Sequence, residues 1–234
     1  MRWLLSLLWV AVACSCATTI DYSPSSSVTS QEALAIAESY RVHRWRPTEA
    51  NALHGDDPNG IRVDTPDISM PEGIAERAGW WKPNSTNQGI PYKWGGFDTP
   101  QEFSTKIAKG FYAGDVYTDK KRALLYDGVS EYTAGVDCSG FISRCWRLDR
   151  PYSTRELPEL CVELQSYDEL RPGDILNKRN VHALLFVKFL DPKKKTILAY
   201  ETGSPPTWKV LRHPVSVDYV RGLGFKPYRY KGMR

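Results

Sequence analysis

Beyond its first 16 residues, the most apolar strand-like stretch of the chain is Val181-His182-Ala183-Leu184-Leu185-Phe186-Val187. A continuous apolar run of this length predicts a buried β-strand, and His182 is the one ionisable residue within it. Strand-like segments of similar size surround it, and a turn at Arg171-Pro172-Gly173-Asp174 precedes most of them. The predicted strands are residues 174–177, 181–190, 196–201, 208–211 and 224–230.

Helical patterns dominate the chain before these strands. Thr29-Ser30-Gln31-Glu32 is a capping box, and the apolar spacing after it predicts an amphipathic helix over residues 30–43. Further helices are expected over residues 100–109 and 138–148, and Ser153 to Glu156 is suited to cap another. Helices followed by antiparallel strands predict an α+β fold with a small antiparallel sheet or barrel.

The overall composition excludes several classes of protein. Of 234 residues, 41% are hydrophobic and 25% are charged, which argues against wholesale disorder and against a polytopic membrane protein. The net charge is +4 and the pI is near 8.7, below the range expected of a dedicated nucleic-acid-binding domain. We therefore expect no nucleic-acid partner.

The N-terminal segment has the pattern of an export signal. Met1-Arg2 supplies positive charge, and residues 3–14 are apolar over the length of a signal-peptide core, too short to span a bilayer comfortably. We predict a signal peptide over residues 1–16 and a mature protein in the periplasm or cell envelope. Ala11-Val12-Ala13-Cys14 resembles a bacterial lipobox, so that membrane anchorage through lipid on Cys14 and plain secretion both remain open.

Residues 17–87 are predicted to form an extension in front of a main domain at residues 88–234. The extension consists of a Ser-rich tether at 21–29, the helix over 30–43, and a segment rich in Pro, Gly, Asn and Asp. That last segment lacks a long periodic pattern, which predicts loops draped over a neighbouring domain.

Cysteine usage draws attention to Cys138. Without the signal peptide the chain keeps Cys138, Cys145 and Cys161, an odd number that leaves at least one thiol free in an exported monomer. Cys138 follows Asp137 at the predicted start of a helix, where free N–H groups and the helix dipole favour a thiolate. The alternative interpretation is a small buried hydrophobic residue, the usual environment of a cysteine.

A thiolate nucleophile needs a base, and His182 is the leading candidate. The ring would be costly to bury in an apolar strand without a partner, and a cysteine on a helix with a histidine on a strand has the layout of a papain-type site. A four-residue hairpin loop after the strand would put Glu201 on the same sheet face as His182, which makes Glu201 the predicted orienting residue. A slip of one residue would put Tyr200 or Thr202 there instead. His213, next to Pro214 in an expected strand connection, is not a leading candidate.

At these residues the chain resembles the NlpC family of papain-like cell-wall cysteine peptidases. The resemblance covers roughly residues 88–205 and rests on four blocks in the family's order. They are Tyr92-Lys93-Trp94-Gly95-Gly96, Asp137-Cys138-Ser139-Gly140-Phe141, Leu170-Arg171-Pro172-Gly173-Asp174, and His182 at the head of its apolar strand. The chain differs from the family in having 40 residues between Gly96 and Asp137 and in carrying Glu201 where the family has His, Asn or Gln.

The resemblance implies a papain-like core and a set of site residues. Cys138 is the expected nucleophile and His182 the base, while Tyr92, Asp137 and Ser139 are expected to line the pocket for the free amine end of a peptidoglycan stem peptide. Trp94 is a candidate for stacking on substrate, with core packing as its alternative role. The long segment after Gly96, including Phe111, Tyr112 and Tyr117, is a candidate wall of the cleft.

These observations predict an exported, monomeric cysteine endopeptidase or amidase that cleaves stem peptides between D-glutamate and the diamino acid. No cofactor or metal is expected, because the chain lacks Cys-x-x-Cys and His-Glu-x-x-His motifs. Two alternatives remain. One is a papain-like amidase or acyltransferase with a non-wall acyl substrate, and the other is a non-catalytic wall-binding lipoprotein.

Overall fold

The computed structural model describes residues 19–203 and 207–234. The predicted signal peptide at residues 1–16 and the lipidation candidate Cys14 lie outside the described residues. No helix in the described part of the chain is long and apolar enough to cross a membrane.

The helices begin where the sequence provides caps. Thr29 and Glu32 form the predicted capping box, with the Thr29 N–H donating to Glu32 Oε2 at 2.7 Å. Thr99 and Glu102 form the same motif at the next helix. In the described ranges the α-helices are α1 Ser30–Val42, α2 Pro100–Ala108, α3 Asp119–Leu124, α4 Cys138–Cys145 and α5 Val217–Gly222. The expected helix after Ser153 is a 3₁₀ turn, Leu157–Leu160.

The strands fall into one large sheet and several two-stranded pairs. Their bounds are β1 Arg44–Trp45, β2 His54–Asp56, β3 Arg62–Asp64, β4 Asn87–Gln88, β5 Tyr112–Ala113, β6 Thr133–Ala134, β7 Cys161–Glu163, β8 Ile175–Lys178, β9 His182–Phe189, β10 Thr196–Gly203, β11 Thr207–Ser216 and β12 Lys226–Tyr230. The large sheet has the order β11-β10-β9-β8-β12-β7 with every pair antiparallel. The predicted mixture of helices with an antiparallel sheet is confirmed at this level.

Hydrophobic clusters cover both faces of the sheet. Helix α4 packs against β9 and β10, and α1 packs against α4 and β11. Their side chains share one core with Leu185 and Tyr200. A second core joins Leu184 and Phe186 to residues of α5. Burial on both sides explains why β9 is apolar along nearly its whole length.

Residues 21–29 do not form the tether that their serine content predicted. Val28 is fully buried, its N–H donates to the Gly232 carbonyl at 3.0 Å, and its carbonyl accepts from the Arg234 N–H at 2.9 Å. Asp21 makes an ion pair with Arg147. The apolar and charged residues between the serines therefore fix this segment to the main body.

The loop-rich part of the extension covers the segment between Gly96 and Asp137. The Trp81 indole donates to the Ala113 carbonyl at 3.0 Å, and the Val116 N–H donates to the Asp64 carbonyl at 2.9 Å. Farther along, the buried Ser130 hydroxyl donates to Asp57 at 2.6 Å. The long segment is thus held from outside, which places α3 beside the site described next.

Candidate active site

Cys138 is the first residue of α4, and its side chain is 9% exposed. Asp137 caps the helix, since its Oδ1 accepts hydrogen bonds from the Gly140 N–H at 2.6 Å and the Ser139 hydroxyl at 3.0 Å. Burial raises the pKa of Asp137, and these donors oppose that rise. The thiol therefore lies in the first turn, where the helix dipole favours negative charge.

A close backbone contact joins two of the sequence blocks. The Gly96 carbonyl accepts a hydrogen bond from the Asp137 N–H at 3.1 Å. A Cβ on Gly140 would stand 2.0 Å from the same oxygen, so only glycine fits there. The Gly95-Gly96 turn and the start of α4 can touch in this way because Gly140 has no side chain, and the contact fixes Cys138 relative to Tyr92 and Trp94.

His182 is the first residue of β9, and it lines the same cleft as Cys138. Its Nε2 donates to Glu201 Oε2 at 2.6 Å, which leaves Nδ1 as the ring nitrogen for the thiol. Burial lowers the pKa of His182, but the charge of Cys138 and the hydrogen bonds to Cys138 and Glu201 raise it to about 10. These groups therefore favour the protonated form of the ring.

Glu201 is 5% exposed and lies between two imidazoles. Oε2 contacts His182, and Oε1 accepts a short hydrogen bond from Nε2 of His213. Burial raises the pKa of Glu201, but the two rings lower it to about 2, so the carboxylate is charged. Tyr200, which a register slip of one residue would have placed beside His182, instead donates its hydroxyl to Glu38 at 2.6 Å.

His213 is the site residue that sequence reasoning missed. It pairs across the sheet with Ala199, two residues from Glu201 and on the same face. The sequence predicted a strand over residues 208–211, whereas β11 continues to Ser216. The feature of the sequence that could have indicated its role is His213 itself, because a strand that continues through this residue brings its ring to Glu201.

Two cavities meet at His182. The cysteine cleft, about 450 Å³, contains Cys138, and its lining includes all four predicted substrate-binding residues, Tyr92, Trp94, Asp137 and Ser139. The histidine cavity, about 500 Å³, is lined by Glu201, His213 and a largely apolar wall from β9, β11 and the region of α5. The residues common to both are Tyr117, Arg122, Val181 and His182.

No protein-family model, no curated protein and no solved structure matches this chain. The functional assignment therefore rests on the residues of the site and their geometry.

Aromatic side chains have different positions around the cysteine cleft. Tyr92 is buried, with its ring centroid 5.7 Å from that of Tyr117 and 5.4 Å from that of Trp208. Trp94 borders the cleft and donates its indole N–H to the Leu125 carbonyl at 3.1 Å. Trp208 is buried in the core. Trp94 is thus the tryptophan of this group that a substrate in the cleft would meet.

The segment between Gly96 and Asp137 forms one wall of the cleft. Tyr117, Arg122, Leu125, Tyr126 and Val129 all line it. Phe111 and Tyr112, which the sequence also suggested, do not belong to the lining.

The three described cysteines are free thiols. Burial raises the pKa of Cys145 well above its usual value and that of Cys161 to about 12. Cys138 alone among them lies beside an imidazole in a cleft. Within residues 19–203 and 207–234, no group of three or more His, Cys, Asp or Glu side chains is arranged to hold a metal ion.

Proposed function

We propose that the chain is a cysteine amidohydrolase with a papain-like core that cleaves an amide bond in peptidoglycan stem peptides, between D-glutamate and the diamino acid. The observation that carries the proposal is the Cys138–His182–Glu201 arrangement, with the thiol at a helix N-terminus and the imidazole held by a charged carboxylate. A nucleophile, a base and an orienting group in contact are the requirements for covalent acyl transfer.

The arrangement supports a two-step reaction. His182 takes the Cys138 proton, the thiolate forms a C–S bond to the amide carbon, and the Cys138 N–H helps to stabilise the oxyanion. His182 then gives its proton to the amine as the C–N bond breaks. Water attacks the thioester, His182 accepts a proton from that water, and the released thiolate is paired with imidazolium again.

The lining of the cysteine cleft fits the substrate that the NlpC resemblance implies. Tyr92, Asp137 and Ser139 would hold the free amine end of the stem peptide, and all three border the same cleft as Cys138. The charged Glu201 takes the third position, where that family has His, Asn or Gln. A carboxylate there holds His182 as imidazolium more strongly than a neutral side chain would.

We propose that the protein acts outside the cytoplasm, in the periplasm or cell envelope. Its support is the pattern of residues 1–16, with Cys14 as a lipidation candidate.

Digestion of purified wall sacculi tests the reaction and the bond together. The mature protein should release fragments whose new amino termini, identified by amine labelling and mass spectrometry, belong to the diamino acid. A Cys138→Ala preparation serves as the matched blank. New amino termini at any other residue would overturn the proposed bond.

The histidine cavity favours a second candidate, an amidase or acyltransferase with a non-wall acyl substrate. The cavity wall includes Leu184, Val215, Val220 and Phe225, which suit an apolar group next to His182. Mass spectrometry of products from purified stem peptides, lipid amides and protein amides separates the two candidates.

A further inference from the structure

Helix α3 directs a guanidinium group towards the site. Thr118 caps the helix, accepting from the Lys121 N–H at 3.2 Å. The buried Lys121 side chain turns inward, with its Nζ 2.6 Å from Asp115 Oδ2 and 3.0 Å from the Gly128 carbonyl. The next residue, Arg122, stacks on the Tyr117 ring at 4.2 Å and borders both cavities. Anchoring by Lys121 therefore fixes the position of Arg122.

The acidic groups that line the cysteine cleft already have partners. Asp137 accepts from Ser139 and Gly140. Glu156 accepts from Arg150 at 2.7 Å and from the Ser153 N–H at 2.9 Å. Neither of these two carboxylates forms an ion pair with an arginine of the cleft.

The two arginines of the cleft are in the opposite situation. Arg122 and Arg155 both line it, and in the described ranges neither has a carboxylate within 4.0 Å. The exposed Glu76 borders the histidine cavity, as Arg122 does, but forms no ion pair with Arg122. Two guanidinium groups without an ion-pair partner among the described residues therefore border the cleft that holds the nucleophile.

We propose that Arg122, with Arg155, forms a carboxylate-binding subsite that selects acyl donors carrying a free carboxylate beside the scissile amide. This inference rests on the proposed function and assigns a specificity role to the segment between Gly96 and Asp137. A stacked guanidinium keeps its in-plane N–H groups available, and its fork matches a carboxylate.

Since Arg122 borders both cavities, the position of Arg155 decides on which side of the amide the carboxylate lies. The acyl group must occupy the cysteine cleft, since it becomes bonded to Cys138, and the departing amine must pass His182 to receive a proton. Arg155 lines the cysteine cleft and not the histidine cavity. The carboxylate therefore belongs to the acyl side.

Alkylation of Cys138 tests the subsite without any natural substrate. Iodoacetate and iodoacetamide react alike, with a C–S bond formed and iodide expelled, but iodoacetate alone is anionic. Arg122→Gln should reduce the iodoacetate rate at Cys138 by about fivefold and leave the iodoacetamide rate unchanged, because one cation is lost from a partly desolvated cleft. Mass spectrometry of the labelled peptide assigns the rate to Cys138.

The matched control is Lys120→Gln, which removes the same charge from an exposed neighbour on α3 outside both cavities. It should leave both alkylation rates as in the wild type. Circular dichroism checks that each variant has folded. An unchanged ratio of the two rates in Arg122→Gln would overturn the subsite.

Paired stem peptides locate the carboxylate. The wild type should prefer a peptide whose acyl-side residue has a free carboxylate over its carboxamide, by roughly 10- to 100-fold in kcat/KM. Arg122→Gln should abolish that preference, and the change should appear in KM rather than in kcat. A preference for a carboxylate on the amine side instead would contradict the assignment.

The two kinds of experiment separate the two proposals. If no stem peptide is cleaved but Arg122→Gln lowers the iodoacetate rate, the subsite stands and the proposed substrate fails. If stem peptides are cleaved but both the alkylation ratio and the peptide preference are unaffected, the subsite fails alone.

Discussion

Nε2 of His182 lies 2.6 Å from Oε2 of Glu201, across two neighbouring strands of the sheet. Glu201 is on β10, and imidazoles reach it from the strand on each side, His182 from β9 and His213 from β11. One buried carboxylate thus organises two rings, of which His182 lines the cleft that contains Cys138. The charge of Glu201, rather than its hydrogen bond alone, distinguishes this site from one with an amide at that position.

Glu201→Gln removes that charge with little change of shape. The pKa of His182 should fall, because one of the groups that raise it is lost, so the alkaline limb of the kcat/KM profile should move to lower pH. We expect kcat/KM to drop roughly 10- to 100-fold, since general acid–base catalysis depends on this ring. Glu163→Gln, an exposed strand carboxylate, is the control. An alkaline limb unmoved in Glu201→Gln would refute the electrostatic role of Glu201.

His213 should act as a positioning residue through Glu201. His213→Ala leaves Oε1 of a buried carboxylate without its donor, which should lower the free energy of unfolding by about 1–3 kcal/mol and also reduce kcat. His213→Gln can still donate to Glu201 and should recover much of both losses. Urea unfolding and steady-state kinetics of the two variants check this. Equal behaviour of the Ala and Gln variants would argue against a role for the hydrogen bond.

The His182–Glu201 pair should also give the fold a defined pH dependence. The pKa of His182 is raised from 6.5 to about 10, so its contribution is fully present below pH 6.5 and is lost as pH rises towards 10. The pKa of Glu201 is lowered from 4.5 to about 2, so its contribution is present above pH 4.5 and is lost as pH falls towards 2.

The stability difference between wild type and Glu201→Gln should therefore be largest between about pH 4.5 and 6.5, on the order of 1–3 kcal/mol. Chemical unfolding across pH 2–10 measures it. A difference that does not vary with pH would contradict the linkage.

The sequence predicted the position of Glu201 through two errors that cancel. A four-residue hairpin loop would place Leu190 opposite Lys195, but the Leu190 N–H donates to the Thr196 carbonyl, and Ile197 pairs with Phe189. An irregularity between Leu198 and Ala199 then shifts the register by one residue. Tyr200 consequently pairs with Leu185, which is the predicted register at the site. A β-bulge inside β9 was not readable from alternating hydrophobicity.

Pro214 is the reason why the sequence did not predict a role for His213. His213-Pro214 suggested a connection, since proline cannot donate to a ladder and is confined mostly to sheet edges. β11 is an edge strand of the sheet, so Pro214 is tolerated and pairs with Leu198. Which strand lies at the edge depends on the whole sheet order, which a local pattern does not contain.

The contact between Gly140 and Gly96 brings together in space two sequence blocks that are far apart along the chain. Gly140→Ala would put a Cβ 2.0 Å from the Gly96 carbonyl oxygen, so the backbone must shift at the start of α4. We expect a loss of about 1–3 kcal/mol in unfolding free energy and a larger relative loss of activity, because Cys138 moves with the helix.

Gly222→Ala is the control for Gly140→Ala, since a Cβ on this helical glycine meets nothing within 4 Å. Thermal unfolding and hydrolysis rates of both variants provide the comparison. Wild-type activity in Gly140→Ala would show that the close approach does not position the thiol.

The most direct test of the central claim is the rate of hydrolysis of a purified stem peptide by the wild type, Cys138→Ala and His182→Ala. Both variants should lose at least about a thousandfold in kcat, because the nucleophile and its base act as a unit. Circular dichroism confirms that each variant is folded. Full activity in either folded variant would contradict catalysis by the Cys138–His182 pair.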